Sequence, residues 1–264
     1  MRDVASEPDQ RGITIHRVGV REIHLPVRVR EKNGGHARVV GTFDTCVELA
    51  HYQRGTHMSR FVEVLSRWSK KDVGSPEIRA ILHEIRERFQ ARAASLTLAF
   101  KYFLTKPAPV SHLPSDLDYD CWFAGRLTES DYEFRLGTTV PITTLCPCSK
   151  EIARAGAHSQ RAHLRVSLVQ DEECIVWIED LVPILEAQGS AAVFPILKRS
   201  DEKHVTEAAY GNPKFVEDVV RDAVLAVRDL PGVVRFTVEC ESFESIHNHN
   251  AYAYTEGEAR PCSQ

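Results

Sequence analysis

The feature that most constrains this fold is a change in apolar spacing, from two-residue alternation to helical period and back, that occurs twice in the same order. Residues 13–31 alternate in their second half, with Ile23, Leu25, Val27 and Val29 on one face and His24, Arg28 and Arg30 on the other, which predicts a strand. Asn33-Gly34-Gly35 supplies a turn, and residues 37–50 read as the hairpin partner. From Ser59 to Trp68 the spacing turns helical through Phe61, Val62, Leu65 and Trp68. After Gly74-Ser75-Pro76 a second helix places Ile78, Ile81, Leu82, Ile85 and Phe89 on one stripe. Alternation returns over 94–104 and, beyond the proline-rich connector Lys106–Pro114, over 119–127. The first half therefore reads β-β-α-α-β-β.

The second half follows the same order. Strands are predicted at 131–143 and 161–169, joined by a Cys-Pro-Cys segment, with 173–178 extending the sheet. A helix near Leu181–Ala187 precedes a long polar segment. Asn212 then reads as an N-cap with Pro213 at the first helical position. Phe215, Val219, Val220, Ala223, Val224 and Val227 form the stripe of a helix that runs to about Asp229, where Gly232 stops it. Strands follow at 233–243 and 251–255. Two such units in tandem predict an α+β fold of two antiparallel sheets, each with a helix pair on one face. The expected organisation is a flexible N-terminus over 1–12, a first module over 13–128, a second over 129–256 and a tail over 257–264.

Bulk properties exclude several classes. In a chain of 264 residues, 43% hydrophobic and 27% charged, there is enough apolar material for a full core and no reason to expect disorder. The polar start lacks an apolar signal region and no run approaches a membrane span, so a cytoplasmic protein with no membrane contact is expected. Seven cysteines without framework spacing (Cys46, Cys121, Cys146, Cys148, Cys174, Cys240 and Cys262) fit a reducing compartment. A net charge of -4 argues against a nucleic-acid partner, so any anionic ligand must be met by a local basic cluster.

Five stretches carry chemistry. Between Thr144 and Arg161, Cys146 and Cys148 flank a proline, His158 follows, and Lys150, Arg154 and Arg161 stand among them, so soft metal ligands and anion-binding groups share one segment. One spacer residue, here proline, disfavours a disulfide between the two thiols. That leaves a metal site, a nucleophile, or two buried cysteines acting as small hydrophobes. Gly55-Thr-His-Met-Ser-Arg60 precedes the first helix. It suits either an anion on free backbone N–H groups or, by itself the better reading, a helix cap through Thr56 or Ser59. His247 and His249, close after Glu239, Glu241 and Glu244, have the ligand types that zinc, manganese or iron accept, or form a hydrated loop. The mixed run Lys198–Thr206 is a solvated face, or else it puts Glu202 near a metal and Lys203 near phosphates. Glu217 is an exposed helix acid, or an anchor whose carboxylate accepts two parallel hydrogen bonds from guanine N1–H and its 2-amino group.

Together, GTHMSR (55–60), TLCPCSKEI (144–152), GAHSQR (156–161), LKRSDEKHVTE (197–207), NPKFVEDVVR (212–221) and ESFESIHNHNAYA (241–253) resemble GTP cyclohydrolase type IB, the prokaryotic enzyme that opens folate biosynthesis. The likeness spans nearly the whole chain, with six separated motifs in one order. It implies the tunnelling fold with two fused modules per subunit, and a homotetramer with active sites at subunit interfaces, where Glu217 of one chain completes a pocket with Cys146 and His158 of a neighbour. It implies GTP as substrate and a divalent metal (zinc, manganese or iron) on Cys146 and His158, with Glu202 and His247 as further ligands and Glu244 close by. Cys148 and His249 are then supporting or proton-transfer groups, Glu217 the purine anchor, and Lys150, Arg154, Arg161, Arg60 and Lys203 the triphosphate candidates. Two other readings stay open. One is a tunnelling-fold nitrile reductase with a cysteine nucleophile and NADPH, although neither a Glu-Ser-Lys-type signature nor a Gly-rich dinucleotide motif is present. The other is a structural metalloprotein, although a closed zinc site is usually richer in cysteine.

Overall fold

A computed structural model describes residues 5, 7–171 and 174–259. Cys262, most of the expected C-terminal tail, and much of the start of the expected flexible N-terminus lie outside the described residues. The chain is mixed α+β with a large antiparallel sheet, and it divides into two compact units, Met1–Lys101 with Trp122–Leu136 and Tyr102–Cys121 with Gly137–Gln264. Among the described residues, no helix is long and apolar enough to cross a membrane.

In the first unit, β1 (Ile15–Arg30) and β2 (His36–Leu49) form the expected hairpin. Its turn needs the positive φ of +87° that Gly34 adopts without a side-chain clash. Helix α1 (Met58–Trp68) leads to the two-residue β3 (Asp72–Val73), which pairs in parallel with β1, and then to α2 (Ser75–Phe89). The first half of β4 (Ala94–Pro107) pairs with β2, Ala94 opposite Val47. Helix α2 presents the apolar stripe read from the sequence, whereas on α1 the expected Val62 is exposed and Val64 is buried with Phe61 and Leu65 instead. Phe61 and Leu65 of α1 and Ile78, Ile81, Leu82 and Ile85 of α2 are wholly buried, and the Phe61 and Phe89 rings stack at 4.1 Å. Each such side chain contributes about 1.5–3 kcal/mol relative to exposure, so the pair of helices holds the unit together. The expected side-chain cap on α1 does not form. His57 is the N-cap, and neither Thr56 nor Ser59 closes the helix end.

Strands β5 (Pro114–Leu127) and β6 (Tyr132–Leu145), like β4, contribute residues to both units. The second unit continues with α3 (Pro147–Ile152), β7 (Ser159–Gln170), α4 (Ile178–Glu186), the short β8 (Ala191–Ala192), α5 (Arg199–Gly211), α6 (Val216–Val227), β9 (Val233–Ser242) and β10 (Ala251–Glu258). Its strands run β10–β9–β7 in antiparallel register, and β8 lies beside β6. Leu164, Val166 and Leu168 of β7, Val238 of β9 and Val219, Ala223 and Val227 of α6 are fully buried. Helix α6 lies along β9 and β10.

Several expectations are corrected. The stretch predicted to extend the sheet over 173–178 has no strand at 174–177, α4 begins at Ile178, and 172–173 lie outside the described residues. The polar run 198–206 forms the N-cap and first turns of α5 and is the solvated face expected, apart from buried Asp201 and half-buried Val205. Asn212 is the C-cap of α5, with its side-chain amide donating to Gly189 O at 3.1 Å, not the N-cap of the next helix. Pro213 precedes α6, whose N-cap is Phe215 because Asp218 accepts the Phe215 N–H at 3.0 Å from inside the first turn. Helix α6 ends at Val227 with Arg228 as its C-cap, and Gly232 instead shapes the turn into β9: its φ is +80° and a Cβ there would fall 2.3 Å from Cys174 O. Finally, the proline-rich connector shortens to residues 108–113, both of its ends being absorbed into β4 and β5.

The short connector is tied to α5 by a buried carboxylate. Asp201 has no exposed surface and accepts from Val110 N and Ser111 N at 2.8 Å each, Ser111 Oγ at 2.7 Å and Lys198 N at 2.8 Å. Burial pushes its pKa up, but the hydrogen bonds outweigh burial and hold the carboxyl well below the usual carboxylate range. A depressed folded pKa contributes stability that is present above the unfolded value of about 3.9 and lost as pH falls through the folded value. Asp201→Asn is therefore expected to lower the thermal midpoint at neutral pH by several degrees and to flatten the acid limb of the midpoint–pH curve. Equal midpoints for variant and parent at neutral pH would refute this.

Candidate functional site

The candidate site is built from three connections of the second unit. The first links β6 to β7 through α3. Cys146 is the N-cap of α3, Pro147 occupies the first helical position with its fixed φ, and Cys146 Sγ accepts the Ser149 N–H at 3.3 Å. The return to β7 is pinned by Cys146 N to His158 O at 3.1 Å and His158 N to Ser149 Oγ at 3.3 Å. Thiol and imidazole thus flank one short turn of helix. The second connection, residues 243–250 between β9 and β10, carries Glu244, His247 and His249. The third is the entry to α6, which supplies Lys214, Phe215, Val216 and Glu217.

These segments surround a cavity of about 290 Å³ lined by Thr144, Cys146, His158, Gln160, Lys214, Phe215, Val216, Glu217, Ser242, Glu244, His247, His249, Ala251 and Tyr252. His158 Nδ1 stands 3.8 Å from Glu244 Oε2 and 2.9 Å from Gln160 Oε1. The His158 and His247 rings meet edge-on at 6.3 Å between centroids, and His247 stacks on His249 at 5.1 Å. Behind them, Gln160 Nε2 reaches Thr144 Oγ1 at 3.1 Å and Glu244 Oε1 at 3.2 Å. Ser242 Oγ donates to the same Glu244 oxygen at 2.9 Å. The nearby Cys240 is no part of this chemistry: burial, helped by the charges of Glu217, Glu239 and Glu241, pushes its thiol up to about 12. It stays protonated.

Of the residues expected from sequence, Cys146, His158, Glu217, Glu244, His247 and His249 line this one cavity. Glu217 lines the same cavity as Cys146 and His158 within one chain. Glu202 and Lys203 are not brought to the cavity. They are exposed on α5, and Lys203 pairs with Glu207 at 3.8 Å. Cys148 is exposed on α3 outside the lining. Lys150 donates to Tyr210 O and lies 4.3 Å over the Tyr210 ring. Arg154 is exposed on the same connection as Cys146 and His158, and Arg161 is exposed at the start of β7. Arg60 lines a different cavity, of about 430 Å³, in the first unit together with His57, Glu48 and Arg88. Sequence reasoning missed Thr144, Gln160, Ser242 and Tyr252 as individual residues. For Gln160 a signal existed: it follows His158 by two residues where the chain is extended, so both side chains share a face.

One thiol, three imidazoles and the carboxylate of Glu244, with Glu217 also in the lining, are donors suited to zinc, manganese or iron. In donor chemistry the lining therefore fits a divalent ion. Convergence is incomplete: among the described residues, no three His, Cys, Asp or Glu side chains are gathered closely enough to hold one. The thiol faces the Ser149 N–H and the carboxylate faces Gln160 and Ser242.

Comparison with known proteins places this geometry. The family model described as type I GTP cyclohydrolase folE2 matches residues 1–253. The chain is 45% identical over 260 residues to the GTP cyclohydrolase FolE2 of Geobacter sulfurreducens, covering 98% of this chain and 99% of the relative. It is 43% identical over 260 residues to that of Methylobacillus flagellatus, covering 98% and 97%. With the Thermosipho africanus protein of the same name it shares 45% over 253 residues, 96% of each. Among solved structures it is similar to the uricase of Arthrobacter globiformis, with TM-score 0.53, 8% identity and 94% and 95% of the two chains covered. A uricase from Bacillus fastidious gives 0.54, 8% and 94% of each. At such identities the likeness is one of fold alone. The family model and the full-length relatives agree, and the chain belongs to the type I GTP cyclohydrolase FolE2 family.

Proposed function

We propose that the chain hydrolyses GTP to 7,8-dihydroneopterin triphosphate and formate, the step that opens folate biosynthesis, and that it does so as an enzyme of the type IB class. One observation carries the reading: Cys146, His158, Glu244, His247 and the purine-anchor candidate Glu217 line a single cavity. Water adds at C8 of the guanine ring and the ring opens to a formamide, a second water releases the formyl carbon as formate, and the opened ribose rearranges and condenses with the freed amine, losing water, to close the new ring. Cys146, His158 and His247, with Glu244 beside them, would hold a divalent ion, which supplies a water that ionises near neutral pH. Glu217 orients the purine by accepting from N1–H and the 2-amino group, both of which need acceptors. His249, stacked on His247, is placed to move a proton at the cavity mouth. Lys150 and Arg154, on the connection that carries the thiol, and Arg161 at the start of β7 are the candidates for the triphosphate.

In the same proposal the fold is the tunnelling fold, with two tandem β-β-α-α-β-β modules per chain and a homotetrameric assembly. The likeness in fold to uricases and the division into two compact units support it. The decisive experiment is incubation with GTP under a panel of zinc, manganese and iron, following formate and the fluorescence of the oxidised pterin. Formate release with pterin formation is expected. Consumption of NADPH with a deazapurine nitrile, or no formate with any metal, would overturn the reading.

A further inference from the structure

We infer that Gln160 is a positioning residue that fixes His158 as the Nδ1–H tautomer, placing the lone pair on Nε2, and that the same side chain orients Glu244. The inference deepens the reading above, since His158 matters only if its ring nitrogen serves the cavity. It begins from which end of the Gln160 amide faces which neighbour. One end lies 3.2 Å from Glu244 Oε1 and 3.1 Å from Thr144 Oγ1, the other 2.9 Å from His158 Nδ1 and 3.3 Å from Ser245 Oγ. A carboxylate oxygen accepts and does not donate, so the end facing Glu244 must be the NH2. Reversing the amide would bring two acceptor oxygens together at that distance. The carbonyl therefore faces the imidazole, and since a carbonyl only accepts, Nδ1 must carry the hydrogen.

The hydroxyls behind the glutamine agree on the same direction. Thr144 Oγ1 accepts from Gln160, which leaves its own hydrogen for Ser242 Oγ at 2.9 Å. Ser242 then donates to Glu244 Oε1 at 2.9 Å. Thr144 is 2% and Ser242 1% exposed, so water offers neither a competing partner. Every donor in the chain runs toward the carboxylate, and the only assignment that leaves no two acceptors or two donors facing each other gives His158 an Nδ1–H. A partner on one ring nitrogen that fixes the tautomer and aim of the other is the arrangement that prepares an imidazole to be a ligand or base.

The test reads the tautomer directly, without GTP, and its first measurement needs no metal. In 15N-labelled, metal-free protein at about pH 9, above the ordinary histidine range, the two-bond 1H–15N spectrum of His158, identified by its loss in His158→Gln, should show a protonated Nδ1 and an unprotonated Nε2. Gln160→Leu removes the acceptor, and His158 should pass largely to the Nε2–H form. Gln160→Glu keeps an acceptor beside Nδ1 and should retain the Nδ1–H form. Zinc affinity of the Leu variant should fall by about 10–100-fold. An Nε2–H His158 in the unmodified protein overturns the inference without any variant, and so does an unchanged tautomer in folded Gln160→Leu. Because turnover is not read, a protein that fails to release formate yet shows the Nδ1–H form refutes the cyclohydrolase reading and leaves the positioning role standing.

Discussion

Cys146→Ala is expected to end formate release from GTP while leaving the protein folded. The side chain has two separable roles. As N-cap of α3 its sulfur accepts the Ser149 N–H, and loss of a helix cap costs roughly 0.5–2 kcal/mol. That is a small part of the stability of a chain whose two cores bury dozens of apolar side chains, so circular dichroism should be unchanged and the thermal midpoint should move only by degrees. As the only cysteine lining the cavity among the described residues, however, it has no substitute. Cys174→Ala is the control, because Cys174 lies at the turn beside Gly232, away from the cavity, and should keep its activity. Comparable formate release from the two variants would remove Cys146 from the site.

Glu217→Gln should weaken GTP binding by about 1–3 kcal/mol, a rise of roughly 5–150-fold in KM, with metal content unaltered. The substitution keeps the shape and turns one acceptor oxygen into a donor that faces the N1–H or 2-amino group. Stability should hardly change. Glu217 is exposed in the first turn of α6, where a carboxylate gains about 0.3–1 kcal/mol from the helix dipole and nothing more. Binding and folding therefore separate in this variant. An unaltered KM for GTP would return Glu217 to the role of a surface acid that happens to border the cavity.

The strands and the first two helices were legible because each buries one face, so alternation or a helical stripe shows directly in residues such as Val27 and Val29, or Ile78, Ile81 and Ile85. Helix α5 was not. Its only buried positions are Asp201 and Ala209, so no apolar stripe exists and the segment looks like a charge run. Its true signal was Asp201, three residues beyond Lys198, but a carboxylate that caps a helix while holding a distant loop has the same sequence appearance as a solvated acid. Asn212-Pro213 misled for a related reason: the pair marks a helix boundary correctly, but from the other side. In the site, thiol, imidazole and carboxylate were legible because ligand chemistry restricts the residue types. Gln160 was not, since a neutral amide acquires meaning only from what stands at its two ends. Glu202 was read from its motif, and the fold leaves it on an exposed face of α5 outside the cavity.

The cavity wall is assembled from parts that the ribosome delivers far apart in time. Cys146 and His158 belong to the β6–β7 connection, whereas His247, His249 and Tyr252 arrive with the final hairpin, in which β10 pairs with no described strand but β9. A chain whose synthesis has just passed β7 already displays its thiol, and does so with no imidazole pair opposite and no lining from α6. Competence is thus the last property the molecule acquires. In refolding, helical signal should return before formate release does, and a single proteolytic cut in the exposed 243–250 connection should silence the enzyme while most of its architecture persists.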